Sequence, residues 1–239
     1  MKPVYISFSC FIKEIFKDAM LAAMTLLPVI LGLLFKFGVP LLNALIAVQT
    51  GKTDFFAPYY LLFDLTIIFS TPVMFGYAGL MIILEERDTG ILKYLAVTPL
   101  GMKGYLRSRL VLLSAIASVY GFAVEALLHI SAMNLVQIAL GSAFSFLTGI
   151  WLVCLIVSLA ANKVEGLAFS KFSGFLILGP FAAFFIKDAL KYLAAFLPTF
   201  WFTEFCMSKG FYAVAALAVS FALSAVYLAL SVRLFKKKA

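Results

Sequence analysis

Six times along this chain, a run of residues passes with almost nothing suited to water: 19–42, 59–84, 106–128, 133–160, 172–186 and 211–234. A helix crossing a bilayer needs about 20 mostly apolar residues, rising 1.5 Å each. The fifth run is the shortest and can be extended to residue 190. The runs are continuous rather than alternating, which points to helices and not to the strands of a barrel. Only 13% of the residues are charged, against roughly 25% in a soluble domain. Too little polar surface remains to cover a water-soluble body. The sequence therefore predicts an all-α polytopic membrane protein with six transmembrane helices, forming a single transmembrane domain over 1–239.

Lysine and arginine give the orientation. Lys36, Lys52, Lys187, Lys191 and Lys209 fall on one side, and the other fourteen of the nineteen basic residues fall on the opposite side. The positive-inside rule puts the richer side in the cytoplasm. Both termini and the 85–109 and 161–171 loops are expected there, in a bacterial-type plasma (inner) membrane. The net charge of +8 then reports topology, and its natural partner is anionic membrane lipid rather than nucleic acid. Residues 1–18 place Val4, Phe8, Phe11, Ile12 and Ile15 on one helical face, as in a helix lying in the membrane interface. That segment is charged, and the apolar run after it is longer than the core of a signal peptide, so no cleavable leader is expected. Near the other surface, 187–210 is too apolar for a solvated loop and is broken by Pro198. Two short re-entrant helices before span six are expected, anchored by Tyr192 and Trp201.

One charged stretch interrupts the apolar pattern, "EERDTGILKYLAVTPLGMKGYLRSR" from Glu85 to Arg109. Asp88 or Thr89 is suited to cap a short helix with Leu92, Leu95 and Ala96 on one face. Thr98-Pro99 is a second helix-start signal, an N-cap followed by proline at the first helical position. A helix of about two turns is marginal alone, so its apolar stripe is expected to dock on something.

Glu86, Arg87, Asp88, Gly90, Leu92, Leu95, Thr98 and Pro99 together resemble the acidic-Arg-acidic, Gly, Leu, Leu, Thr-Pro pattern of type-2 ABC transporter permeases. Lys17-Asp18 before span one, Pro28 within it, "NKVEGLAFSK" at 162–171 and "LPTFW" at 197–201 agree in order, so the resemblance covers the whole chain. Ile91 departs from it, since the family often has a small hydroxyl residue there. The resemblance implies that 85–105 contains a cytoplasmic coupling helix seated in a separate ATP-binding cassette subunit. It also implies a second permease chain, as a homo- or heterodimer, with a transport path between the two. No G-x-x-x-x-G-K-[ST] phosphate loop occurs, so this chain is expected to be a transport subunit without a cofactor. ATP and Mg belong to the partner.

Asp64, Glu125 and His129 are ionisable groups predicted inside the membrane, where such groups are functional candidates. They form either part of a transport path or hydrogen-bonded groups at the water boundary. One histidine and three scattered cysteines supply no metal-ligand cluster. Glu85-Glu86 lacks the arginine that an intramembrane protease of Glu-Glu-x-x-x-Arg type needs. The sequence thus favours an exporter of an amphipathic or hydrophobic small molecule, peptide or lipid-like cargo. The rivals are a gradient-driven transporter using Asp64, Glu125 and His129, and a scaffold or sensor subunit that moves nothing.

Overall fold

The computed structural model describes residues 2–51 and 54–238. Lys52 lies outside them, as do the side chains of Lys2, Lys93, Ala96 and the lysines at 236–238. Among the described residues the structure is helical throughout, and six helices are long and apolar enough to cross a membrane. The end of the bundle carrying residues 85–109 is called the charged end here, and the opposite one the far end.

The amphipathic segment is a helix, Lys2–Lys17, whose Phe11 and Ile15 are buried against the bundle. Asp18 then stops one helix and starts the next. Its carboxylate accepts the backbone N–H groups of Met20 (2.8 Å) and Leu21 (3.3 Å), two of the donors a helix N-terminus leaves open. Span one follows as Ala19–Leu33, a π-helical turn Leu34–Gly38, and Val39–Thr50. It outruns the apolar stretch that announced it.

Span two, Tyr60–Asp88, lies at the centre of the bundle. In its most apolar window 83% of residues are buried, and in span four (Leu135–Leu159) 67%, against 22% in spans one and six. The first two form the packed interior, while one and six present most of their surface outward. Span three is Gly101–Leu106, a π-helical turn Arg107–Val111, and Leu112–Leu128.

Apolar helices gain little from one another in a medium as greasy as themselves, so close packing and interhelical hydrogen bonds hold them. Ser118 and Ser142 exchange bonds across spans three and four, each hydroxyl donating to the other's backbone carbonyl at 2.7 and 2.8 Å. Ser145 donates to the carbonyl of Ile68 in span two at 2.9 Å. Phe69, Phe144 and Phe202 interlock near the far end, with ring centroids 5.1–5.9 Å apart.

The 161–171 loop of the sequence reading is instead helical. Asn162 caps Lys163–Ser170, which continues through Lys171–Gly174 into Phe175–Phe185 as span five. Its charged flank hid a helix that hydropathy alone begins at 172. Between spans five and six lie a 3-10 turn, Ala189–Ala194, and a helix, Pro198–Met207. Trp201 Nε1 donates to the carbonyl of Ala195 at 2.7 Å, holding the two together. Gly179 allows Pro198–Met207 to lie directly against span five, because a Cβ there would sit 2.6 Å from the backbone nitrogen of Phe200.

Candidate functional site

Span two overshoots its apolar stretch and carries Glu85 to Asp88 on its last turn. All four side chains bond to other elements of the bundle, Glu85 and Asp88 both at Lys163. Glu86 is only 7% exposed and Arg109 of span three only 4%. Arg109 holds Glu86 with two nitrogens: Nη2 pairs with Oε1, and Nε donates to Oε2 at 3.2 Å. The Tyr105 hydroxyl donates to the same Oε2 at 2.7 Å. Arg109 Nη1 reaches the amphipathic helix, donating to the backbone carbonyl of Ser7 (2.9 Å) and to its hydroxyl (3.1 Å). The guanidinium lies 4.6 Å from the ring centre of Phe11. A buried ion pair is sound only when its remaining donors and acceptors are also met, and here they are.

Arg87 turns the other way. Its Nη1 and Nη2 donate to the carbonyls of Val157 (3.0 Å) and Ala160 (2.7 Å), at the end of span four. Those carbonyls belong to the group that a helix C-terminus leaves without partners, and a cation there also suits the helix dipole. Asp88 accepts the backbone N–H of Lys163 at 2.8 Å, where span five begins. Glu85 pairs with the Lys163 ammonium at 2.7 Å, in the open. One turn of span two therefore ties together the amphipathic helix and spans three, four and five.

Asp88 and Thr89 do not cap the next helix. Asp88 is committed to span five, and the Thr89 hydroxyl donates back to the carbonyl of Glu85 at 2.7 Å. Gly90 makes the turn instead, at a left-handed φ of 77° that a side chain would disfavour. The short helix runs Ile91–Val97. Thr98-Pro99 serves both sides of the break: the Thr98 hydroxyl donates to the carbonyl of Leu95 at 2.7 Å and accepts the N–H of Leu100 at 3.4 Å, as an N-cap does, and the helix of span three runs from Gly101.

The orientation of this helix differs from the sequence expectation. Leu92 and Leu95 are half-buried against the chain itself. Leu92 lines a cavity of about 40 Å³ with Ile83, Arg87, Tyr105, Val157, Ser158 and Phe235. Leu95 lines a groove beside the amphipathic helix with Pro99, Ser7 and Cys10. The outward face carries Tyr94 (73% exposed) and Val97 (85% exposed), while Ile91 borders the same groove as Leu95. The stripe that sequence periodicity finds is the one that seats the helix on its own bundle.

Beside that helix, Glu14, Asp18, Glu85 and Glu86 line a cavity of about 490 Å³ together with Lys17. Burial raises the pKa of Glu14 above the ordinary carboxyl range, and the charges of Glu86 and Glu85 push the same way, against Arg109 and Lys17.

The three intramembrane groups lie near enough for Asp64 to interact electrostatically with both Glu125 and His129, but no side-chain hydrogen bond joins them among the described residues. Asp64 accepts the N–H groups of Ile130 (3.1 Å) and Ser131 (2.8 Å), capping the loop after span three. His129 ends that span, and its Nδ1 lies 2.9 Å from the backbone carbonyl of Glu125. Both carboxyl oxygens of Glu125 are buried without a hydrogen-bond partner among the described residues. Sequence reasoning missed Arg109 and Tyr105 as partners of Glu86, and Ser7 as a partner of Arg109. It also missed Lys163. The only available signal was that a glutamate so close to the apolar core needs a cation.

A six-span helical bundle with a short helix braced beyond the end of span two is the architecture of a multi-pass membrane protein. The chain belongs to the family described as Rv2686c-like, fluoroquinolones export permease protein, whose model matches residues 11–235, and is thereby an ABC-type permease, a transport subunit. Two curated relatives are the fluoroquinolones export permease proteins MT2760, from Mycobacterium tuberculosis strain CDC 1551 / Oshkosh, and Rv2686c, from strain ATCC 25618 / H37Rv. Each is 25% identical over 193 residues, covering 80% of this chain and 76% of the relative. No solved structure matches the chain.

Proposed function

We propose that this chain is the membrane subunit of an ATP-driven exporter, and that the Ile91–Val97 helix couples it to a separate ATP-binding cassette subunit. One observation carries the reading. The helix offers Tyr94 and Val97 to the surroundings while its base is fixed to four other elements through Glu86, Arg87 and Asp88. An apolar ridge on a rigid mount suits the transmission of a push. Gly90 and Thr98-Pro99 set its two ends, Leu92 and Leu95 seat it, and Tyr94 and Val97 meet the partner. ATP and Mg²⁺ are bound and consumed by that partner. The charged end faces the cytoplasm with both termini, in a plasma membrane. A second permease chain completes the path, packing against the spans this chain leaves mostly uncovered. The cargo is an amphipathic aromatic compound of the kind for which the relatives are named.

The test is co-purification from the native membrane. Tyr94→Asp with Val97→Asp is expected to lose an ATP-binding partner while the permease stays folded and at normal level. Retention of the partner by this variant overturns the docking face.

A gradient-driven reading has the unpartnered Glu125 carboxyl in its favour. It requires transport that survives loss of the ATPase and fails in Glu125→Gln. Asp64 serves it poorly, because both its oxygens are engaged by backbone N–H groups.

A further inference from the structure

The amphipathic helix and span one diverge from Asp18, and the wedge between them opens on a second cavity, of about 630 Å³. Its volume is typical of small-molecule sites. Its walls are Phe8, Ile12 and Phe16 of the amphipathic helix, Leu26 of span one, and Leu113 and Ile116 of span three. Leu113, Ile116 and Tyr120 line it from successive turns, so it runs about 10 Å along the axis of span three at 1.5 Å per residue. It is therefore elongated in the direction in which lipid tails lie.

Lys13 is the one charged residue of the lining, it is exposed, and it makes no ion pair among the described residues. Ser9, Thr25 and Tyr120 bring the other polar groups of the lining. Glu14, one position on, lines the acidic cavity on the other side of the same helix, with Asp18, Glu85 and Glu86. The amphipathic helix thus contributes to an acidic recess and to a greasy slot whose one charged lining residue is the exposed Lys13.

We infer that this slot is a binding site for an anionic phospholipid of the adjacent leaflet, with one acyl chain between the amphipathic helix and spans one and three and the phosphate against Lys13. An apolar groove open to the bilayer gains little selectivity from its walls, since tails resemble leucine. The ammonium group confers the choice of headgroup. The inference needs the membrane and the depth of the amphipathic helix, not the identity of the cargo.

Full-length protein in nanodiscs is to be illuminated with phosphatidylglycerol carrying a diazirine on one acyl chain, and in parallel with phosphatidylcholine of the same chains. Labelling by phosphatidylglycerol is expected on peptides containing Ile12, Leu113 or Ile116, several-fold above that by phosphatidylcholine. Lys13→Glu removes that excess and leaves phosphatidylcholine labelling unchanged. Leu26→Trp, at an exposed rim position where folding is insensitive, lowers labelling by both. Equal labelling by the two lipids, or labelling indifferent to both substitutions, overturns the inference. So does cross-linking of these walls to a second copy of the chain, or displacement of the lipid by transported cargo.

Discussion

At the charged end, Glu86, Arg87 and Asp88 each reach a different element, and each is answered by groups that would otherwise lack partners. At the far end, Asp64 is answered by two backbone N–H groups, while the carboxyl group of Glu125, on the neighbouring span, has no hydrogen-bond partner among the described residues. The first arrangement fastens elements to one another. The second leaves a buried carboxyl group that holds no neighbouring element in place.

The contrast is most easily broken at Arg109. Arg109→Leu leaves Glu86 buried and unpaired, and removing one member of such a pair costs about 3–5 kcal/mol. Thermal unfolding in detergent is expected to show a large drop, and Glu86→Gln combined with Arg109→Leu a smaller one. Next comes Asp64→Ala, which strips the acceptor from Ile130 and Ser131 and costs about 1–3 kcal/mol, read in the same assay. Glu125→Leu has the opposite sign. It removes an unpartnered buried polar group, so the melting temperature is expected to hold or rise by the equivalent of about 1 kcal/mol. A loss as large as that of Asp64→Ala would erase the distinction between the two carboxyl groups.

Lys163→Ala breaks only an exposed pair with Glu85 and is expected to cost under about 1 kcal/mol, less still in high salt. The smallest effect is that of pH on Glu14. Its pKa is raised in the folded chain, so the fold favours the protonated form and its stability contribution is lost as pH rises through the folded value. Glu14→Gln is expected to flatten the stability profile just above the ordinary glutamate range, where the parent protein declines.

The six spans and the short helix after span two were legible because hydropathy and periodicity are local properties. Span five shows the limit: its first turns carry Lys163 and Glu165, so an apolar count starts too late. The inner face of Ile91–Val97 was legible as a stripe, yet a stripe does not say whether it meets another chain or its own. Leu92 shows that it meets its own. Arg109 entered the sequence reading only as one more positive charge near the membrane. Its bond to Glu86 joins residues 23 apart across a turn, and nothing in either neighbourhood announces it.

Span three bends its helical phase at Arg107–Val111, where a π-helical turn takes in one residue more than an α-helix would. Each residue of an α-helix turns the face by about 100°. Below the widened turn Tyr105 aims at Glu86, and above it Ser118 aims at Ser142. A chain one residue shorter there would have to give up either the ionic clasp or the serine seam. The extra residue is what allows one helix to keep two appointments on different sides.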